Sequence, residues 1–146
     1  MKIVQVDDTN LNAAAQVHSL SWKESHRSFC NADFIEKHNI KRQAMYLSSE
    51  MQKGKSIFML IDEKPVGIVS VKDNLIENLY VLPNEQGKGY GSELLRFALC
   101  HCSGIPCLWV LDNNSVAIEF YSRRGFVFTG SRHQLSDNLA ELEMRL

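Results

Sequence analysis

The chain reads Gln86-Gly87-Lys88-Gly89-Tyr90-Gly91 where an apolar, strand-like run gives way to a strongly helical one. Glycines at these positions let the backbone adopt positive φ, and they leave no Cβ in the path of a ligand. The N–H groups in the first turn of the following helix have no partner within that helix. The stretch therefore predicts an anion cradle at a strand-to-helix junction, for which a pyrophosphate is the natural ligand.

Two other kinds of glycine-rich loop are alternatives for this stretch. A P-loop needs Gly-Lys followed by Ser or Thr, but Gly89 follows Lys88 and no hydroxyl residue takes the magnesium position. A dinucleotide-binding loop needs a third glycine where Ser92 stands, and an acidic residue about 20 residues later, near Asp112. The P-loop interpretation fails. The dinucleotide loop and a glycine-rich turn without a ligand remain as alternatives.

Two segments of the sequence carry a family resemblance. The first is Leu75-Ile76-Glu77-Asn78-Leu79-Tyr80-Val81-Leu82-Pro83, followed by the glycine loop and an amphipathic helix. This order of strand, proline turn, Gln-x-x-Gly-x-Gly and helix resembles the acyl-CoA-binding core of the GNAT superfamily of N-acetyltransferases. The second segment, from Asn114 to Phe126, resembles the Asn-x-x-Ala-x-x-Phe-Tyr-x-x-x-Gly-Phe pattern common in that family. Together the motifs span about a third of the chain.

Composition limits the other possibilities. The chain has 146 residues, of which 45% are hydrophobic, so we expect a single domain over residues 1–146. The 16 basic and 17 acidic side chains are spread along the chain, which argues against nucleic acid or an anionic membrane as a partner. The spacing of the four cysteines favours neither zinc nor a disulfide framework, and we expect no metal.

Hydropathy also bears on where the protein is found. No run has the length of the apolar core of a signal peptide, and none reaches the roughly 18 apolar residues of a membrane span. Together with the unpaired cysteines, this predicts a reduced, cytoplasmic protein.

Periodicity predicts an α/β fold. The expected helices run from about Leu11 to Trp22, from Asn31 or Asp33 to near Met51, from Ser92 to Cys100 and from Ser115 to Arg124. The expected strands are Lys2–Val6, Ile57–Ile61, Val66–Val71, Leu75–Val81, Cys107–Leu111, Phe126–Thr129 and Ala140–Leu146, with a coil over residues 130–138. The resemblance implies that the sheet is mixed and mostly antiparallel, that it is split between two central parallel strands, and that about four helices flank it.

The resemblance implies that acetyl-CoA is the cosubstrate. Its pyrophosphate would lie on the backbone amides from Gly87 to Ser92, with Gln86 at the loop entrance, and its pantetheine arm would pair with the backbone at Val81. Lys88 is either a phosphate ligand or a solvated side chain, and Asn114 either orients the pantetheine amide or caps a helix. The expected cofactor-binding residues are Leu79, Tyr80, Val81, Gln86, Gly87, Lys88, Gly89, Tyr90, Gly91, Ser92, Asn114 and Tyr121.

Tyr121 is the first catalytic candidate. It matches the tyrosine that in many GNAT enzymes points at the CoA sulfur and protonates the departing thiolate. A phenol near its ordinary pKa stays protonated at neutral pH and can give that proton. The alternative is an aromatic side chain that packs in the core beside Phe120.

Glu77 is the candidate general base. It has the same strand parity as Leu79 and Val81, so its carboxylate is expected to face the acceptor channel. An exposed strand carboxylate is the alternative, and several histidines, His26 among them, compete for the role.

The candidate acceptor pocket lies in the N-terminal half and consists of Trp22, His26 and Phe29. In the GNAT family this region builds much of the substrate pocket, and its sequence varies with the acceptor. A core position for Trp22, at the end of an amphipathic helix, is the alternative.

The resemblance implies an N-acetyltransferase that transfers the acetyl group of acetyl-CoA to a primary amine by direct attack in a ternary complex. The acceptor is a small-molecule amine or a peptide N-terminus, with the small molecule favoured, and no acidic run points to a polycationic substrate. A non-catalytic acyl-CoA sensor is the main alternative. A nucleotide-binding oxidoreductase is disfavoured because the glycine loop follows an antiparallel meander. The resemblance also allows a homodimer through the late strands.

Overall fold

The computed structural model describes residues 1–146 and contains one seven-stranded sheet with helices on both faces. The strands are β1 Lys2–Gln5, β2 Ser56–Asp62, β3 Lys64–Lys72, β4 Leu75–Val81, β5 Cys107–Leu111, β6 Val127–Ser136 and β7 Leu139–Arg145. The helices are α1 Leu11–His26, α2 Ala32–Glu36, α3 Ile40–Gln52, α4 Tyr90–His101 and α5 Ser115–Ser122, with a 3₁₀ turn at Pro83–Glu85. No helix combines the length and the apolar character needed to cross a membrane.

The order of strands in the sheet is β1-β2-β3-β4-β5-β7-β6. Every neighbouring pair is antiparallel except β4 and β5, which are parallel. The predicted α/β class, with a mixed and mostly antiparallel sheet around one central parallel pair, is confirmed.

The helices between β1 and β2 differ from the prediction. The helix that was expected from Asn31 or Asp33 to Met51 is two helices, because a second cap interrupts it. The Asn31 side chain accepts a hydrogen bond from the Phe34 N–H at 2.8 Å, and the Asn39 side chain accepts one from the Arg42 N–H at 2.9 Å. Each asparagine starts its own helix, so the structure has five helices.

The coil predicted over residues 130–138 is wrong. Strand β6 continues through Ser136 and pairs with β7, for example His133 with Glu141. It is an edge strand that is exposed along its whole length, so it lacks the alternation of apolar and polar residues by which a half-buried strand is recognised. Gly130 has a φ of 94° and lies where the register shifts, which lets the strand bulge and continue.

Helices α4 and α5 cover one face of the sheet. Their buried side chains Leu94, Leu95 and Tyr121 pack with Val69 of β3 and Leu108 of β5 in a 15-residue cluster. Each fully buried leucine stabilises the fold by about 2 kcal/mol through its removal from water. We call this side of the sheet the α4–α5 face.

Helices α1 and α3 cover the other face of the sheet. Ala14 and Leu47 pack there with Ile57, Met59 and Ile68 in a separate cluster of eight buried residues. We call this side the α1–α3 face.

A β-bulge interrupts strand β4 at Asn78. Tyr80 pairs with Ile68 and Glu77 pairs with Ser70, so that two residues of β4 face one residue of β3. Asn78 adopts a positive φ of 53°, and its side chain donates a hydrogen bond to the Ser70 hydroxyl at 3.1 Å. An extra residue of this kind reverses the alternation of side chains along the strand.

Because of the bulge, the prediction that Glu77 shares a face of the sheet with Leu79 and Val81 is wrong. Leu79 and Val81 lie on the α4–α5 face. Tyr80 packs on the α1–α3 face, and so does Glu77, which pairs with Ser70, two residues from Ile68 on the same side of β3. Glu77 and Leu79 therefore lie on opposite faces of the sheet.

Strands β4 and β5 separate almost at once. They pair at a single position, Leu75 with Cys107, whereas β5 pairs with β7 along its full length to Leu111. The backbone of β4 beyond Leu75 therefore has no strand partner on this side, and a gap opens in the middle of the sheet.

We expect the Gly67→Ala substitution to lower the free energy of unfolding by about 1–3 kcal/mol through overpacking. A Cβ at Gly67 would lie 2.7 Å from Leu94 Cδ1 and 2.9 Å from the Tyr80 carbonyl oxygen, and the carbonyl belongs to the sheet backbone. Urea unfolding measures the effect. At Gly91 a Cβ would make only ordinary van der Waals contacts, with the Phe120 ring at 3.5 Å and Val81 Cγ2 at 4.0 Å. Gly91→Ala is therefore the control and should lose no stability. Equal stability of Gly67→Ala and the wild type would contradict the close packing of β3 on α4.

Candidate functional site

A cavity of about 590 Å³ lies where β4 and β5 separate. Leu79 and Tyr80 of β4 line it, and so do Leu108 and Trp109 of β5. Neighbouring residues on a strand point to opposite faces of the sheet, so the cavity passes through the sheet from one face to the other. Two ligands can therefore reach it from opposite sides. We call it the central cavity.

The fold brings together seven of the sixteen candidate residues, from distant parts of the sequence. Those that line the central cavity are His26, Phe29, Glu77, Leu79, Tyr80, Asn114 and Tyr121. Trp22, Val81 and the loop residues 86–92 do not line it. Trp22 instead supports the wall, because its indole stacks on the His26 ring with the centroids 3.9 Å apart.

Tyr121 belongs both to the core and to the cavity wall. Only 8% of it is exposed, and its ring meets Phe120 and Phe126 edge-on. Burial raises the pKa of Tyr121 to about 12, so the phenol stays protonated well beyond neutral pH. Packing in the core and the ability to donate a proton are therefore compatible in this residue.

Glu77 is held by a buried ammonium group. Its Oε2 accepts a hydrogen bond from Lys55 Nζ at 2.9 Å, and Lys55 also forms an ion pair with Glu50. Burial opposes the charge of Lys55, but its hydrogen bonds to the two carboxylates outweigh this effect and raise the pKa of Lys55. Lys55 therefore holds the Glu77 carboxylate in one position at the cavity.

His26 presents a free ring nitrogen. Its Nδ1 lies 2.8 Å from the Trp22 carbonyl oxygen, which can only accept a hydrogen bond. Nδ1 therefore carries the proton, and Nε2 is left with its lone pair. Burial lowers the pKa of His26, so the ring is neutral at pH 7.

The glycine loop is an open cradle of backbone donors. Gly87 and Gly89 have φ values of 80° and 91°, and a Cβ at either would meet nothing within 4 Å. None of the backbone N–H groups from Gly87 to Ser92 has a hydrogen-bond partner in the protein. Gln86 Nε2 donates to the Val81 carbonyl oxygen at 3.2 Å and ties the loop to the end of β4. The arrangement can receive an anion, as the sequence predicted.

The Lys88 side chain forms an ion pair at the edge of the glycine loop. Its Nζ lies 2.8 Å from Glu85 Oε2, and Lys64 Nζ lies 2.7 Å from Glu85 Oε1. The hydrogen bonds from Lys64 and then Lys88 lower the pKa of Glu85 to about 2. Glu85 therefore anchors the loop lysine beside β3.

Asn114 is the N-cap of α5. Its side-chain oxygen accepts a hydrogen bond from the Ala117 N–H at 3.1 Å. The capping alternative holds, while the same side chain also contributes to the cavity wall.

Sequence reasoning missed Arg124. Its guanidinium donates to Ser92 Oγ at 2.6 Å and to the Phe120 carbonyl oxygen at 2.7 Å, and it lies 3.7 Å over the Phe120 ring. An arginine thus reaches the first turn of α4 from a position 32 residues away. The signal available for Arg124 is its place within the second motif, immediately before Gly125, at a position that the pattern leaves open.

A model of the acetyltransferase (GNAT) domain matches residues 53–128, which is just over half of the chain. The matched region contains the separated strands, the glycine loop and the helix that carries Tyr121. The chain belongs to the GNAT family of acetyltransferases.

A curated relative extends this GNAT assignment. Peptidyl-lysine N-acetyltransferase YjaB of Salmonella typhimurium is 31% identical over 75 residues, or 51% of this chain and 50% of that protein. The match therefore spans about half the length of the relative.

Solved GNAT structures are similar over the whole chain. PaiA N-acetyltransferase of Thermoplasma acidophilum, in complex with coenzyme A, has a TM-score of 0.71 and 20% identity over 97% of this chain and 96% of that one. The yncA protein of Salmonella typhimurium, with its cofactor acetyl-CoA, has a TM-score of 0.69 and 18% identity over 100% of this chain and 92% of that one. At these identities the likeness shows that the fold is shared.

We expect the Glu85→Gln substitution to lower the free energy of unfolding at pH 7 and to have less effect in acid. The pKa of Glu85 is lower in the folded protein than its ordinary value of 4.5. Its carboxylate therefore stabilises the fold above that value, and the stabilisation is lost as the pH falls towards 2. Urea unfolding of both proteins at steps between pH 7 and pH 3 measures this. Glu63→Gln is the control, and a Glu85→Gln deficit that stays constant with pH would contradict the ion-pair account.

Proposed function

We propose that the protein is an acetyl-CoA-dependent N-acetyltransferase whose acceptor is a primary amine. The observation that carries the proposal is the central cavity, which joins the two faces of the sheet beside a buried tyrosine. Leu79 and Tyr121 line it on the α4–α5 face, while His26 and Tyr80 line it on the α1–α3 face. The cosubstrate would enter from the first face and the amine from the second.

The cofactor side of this proposal rests on the glycine loop. The six free N–H groups from Gly87 to Ser92, at the positive end of the α4 dipole, suit a pyrophosphate. Arg124 adds a guanidinium at Ser92, and charge-assisted hydrogen bonds to phosphate are stronger than neutral ones. The unpaired backbone of β4 beyond Leu75 suits the amide groups of a pantetheine arm.

The chemistry needs a proton donor, a proton acceptor and a neutral amine. Acetyl-CoA supplies an activated acetyl group as a thioester. Tyr121 donates its phenolic proton to the sulfur as the carbon–sulfur bond breaks, and its high pKa keeps this proton in place until then. His26 Nε2 takes the proton that the amine nitrogen loses when its bond to the acetyl carbon forms. Glu77 is the base expected from the sequence. It keeps its ion pair with Lys55, and in this proposal it takes no proton from the amine.

The acceptor is proposed at the level of a chemical class. A small-molecule primary amine is the first candidate, and a peptide N-terminus is the second. YjaB is named a peptidyl-lysine N-acetyltransferase, so a lysine side chain in a protein is a third candidate acceptor. A sensor that binds acyl-CoA without turnover is the main alternative, and it requires Tyr121 to be only a core residue.

We expect acetyl-CoA and CoA, but not NAD, to raise the melting temperature of the protein. A ligand at a hundred times its Kd stabilises the folded state by about 2.7 kcal/mol, which corresponds to about 5 °C or more for a chain of this size. Arg124→Gln should weaken CoA binding about tenfold, because one charge-assisted hydrogen bond is lost. Arg123→Gln is the matched control, since the Arg123 guanidinium pairs with Glu119 at 2.6 Å on the surface of α5. An unchanged melting temperature at saturating acetyl-CoA and CoA would contradict the proposal.

We expect Tyr121→Phe to lower kcat by about 100-fold, with a nearly unchanged melting shift by acetyl-CoA. The ring stays in the core, and only the proton donor is removed, an effect typical of general-acid catalysis. Steady-state release of CoA, with the best acceptor from a panel of primary amines, measures it. Tyr46→Phe removes the same atom outside the central cavity and serves as the control. An unchanged kcat in Tyr121→Phe would show that the hydroxyl is not the acid.

A further inference from the structure

The α1–α3 side of the central cavity includes two side chains, Trp109 and Glu141, that were not part of the acceptor pocket predicted from the sequence. Leu108 and Val110 of β5 and Met144 of β7 belong to the cluster on the α4–α5 face. Trp109 and Glu141 occupy positions of the opposite parity on the same strands, so they lie on the α1–α3 face. Both line the central cavity.

These residues form a chamber on one side of the sheet. We call it the acceptor chamber, and its members are His26, Phe29, Glu77, Tyr80, Trp109 and Glu141. They come from the end of α1, the loop that follows it and three different strands. Local patterns in the sequence do not reveal such a grouping.

The acceptor chamber carries net negative charge. No lysine or arginine lines the central cavity, whereas Glu77 and Glu141 do. Lys53 pairs with Glu50, and Lys55 pairs with both Glu50 and Glu77, so these four charges balance. The net negative charge of the chamber therefore comes from Glu141. Burial lowers the pKa of His26, so the chamber gains no positive charge from that ring at pH 7.

The second carboxylate has its own support. Glu141 Oε1 lies 3.1 Å from His133 Nδ1, and the His133 ring stacks on Trp109 with the centroids 4.1 Å apart. The contact holds Glu141 beside the His133 ring, which itself packs on Trp109. A carboxylate next to an aromatic face is a favourable environment for an alkylammonium group.

The two carboxylates stand on opposite sides of the gap, since Glu77 is on β4 and Glu141 is on β7 beyond β5. The same chamber presents the rings of Tyr80 and Trp109, which are suited to contact an apolar chain. A ligand that matches this arrangement has an apolar middle and, at the end away from the reactive amine, a positive charge that can pair with Glu141. A ligand with a carboxylate at one end would be repelled.

We propose that the acceptor is a small diamine, in which an alkyl spacer separates the reactive amine from a second ammonium group. The inference rests on the proposed function, because it takes the α1–α3 side of the cavity as the place of the amine. The reactive nitrogen lies towards Tyr121 and His26, and the second ammonium pairs with Glu141. A carboxylate in place of the second ammonium is excluded by charge.

The test uses three acceptors that share one spacer and differ only at the far end. Diaminopentane ends in an ammonium, hexylamine in a methyl group and aminohexanoate in a carboxylate. We expect kcat/KM, measured as CoA release, to be about tenfold higher for diaminopentane than for hexylamine, and lowest for aminohexanoate. A tenfold ratio corresponds to about 1.4 kcal/mol, a reasonable value for one partly buried ion pair.

The matched variants are Glu141→Gln and Glu143→Gln. Both glutamates lie on the same face of β7, but Glu143 does not line the cavity and instead accepts a hydrogen bond from Thr129. Glu141→Gln should lower kcat/KM for diaminopentane about tenfold, and so remove most of its preference over hexylamine. Glu143→Gln should keep the preference. The ratio of kcat/KM for diaminopentane to that for hexylamine is measured on the wild type. The inference can therefore be tested even if Glu141→Gln fails to fold.

Three outcomes would overturn the diamine inference while leaving the acetyltransferase proposal intact. They are equal kcat/KM for diaminopentane and hexylamine, equal effects of the two glutamate variants, and turnover of a lysine peptide without turnover of the three amines. Acetyl-CoA binding without turnover of any amine or peptide would overturn both the diamine inference and the acetyltransferase proposal, in favour of the acyl-CoA sensor. Absence of acetyl-CoA binding in the melting assay would instead overturn the proposed function itself.

Discussion

The separation of β4 from β5 is the constraint on which the rest of the structure depends. The two strands pair only at Leu75 and Cys107, next to the turn where the Asn74 side chain donates to the Ile105 carbonyl oxygen at 2.8 Å. Buried backbone polar groups need partners, so the open backbone of β4 must be satisfied by water or by a ligand. The gap therefore makes a binding slot in the middle of an otherwise continuous sheet.

The β-bulge at Asn78 distributes the side chains around this slot. With one extra residue, β4 directs Leu79 towards the helices that carry the glycine loop and Tyr121, and it directs Glu77 and Tyr80 towards α1 and α3. One short strand thus serves two chemically different chambers. The side with the loop is rich in hydrogen-bond donors, whereas the opposite side is aromatic and acidic. This difference suits the proposed cosubstrate, which is anionic, and the proposed diamine acceptor.

Much of the fold could be predicted because its signals are local. The order of helices and strands, the caps at Asn31 and Asn114 and the positive-φ glycines of the loop depend on near neighbours in the chain. The predictions failed where a distant partner decides the outcome. Strand β6 exists because β7 pairs with it, and the reversal of Glu77 depends on a register with β3 that residue parity cannot reveal.

The sequence by itself determined the glycine loop, the family resemblance and the identity of Tyr121 as the candidate acid, since each is read from a contiguous motif. Only the tertiary structure decided which charges meet at the site. Arg124 reaches Ser92 across the ends of two helices, Lys55 restrains Glu77, and Glu141 comes to the same cavity from the last strand. Electrostatic interactions depend on distance in space, and the fold alone sets the distances between residues that are far apart in the chain.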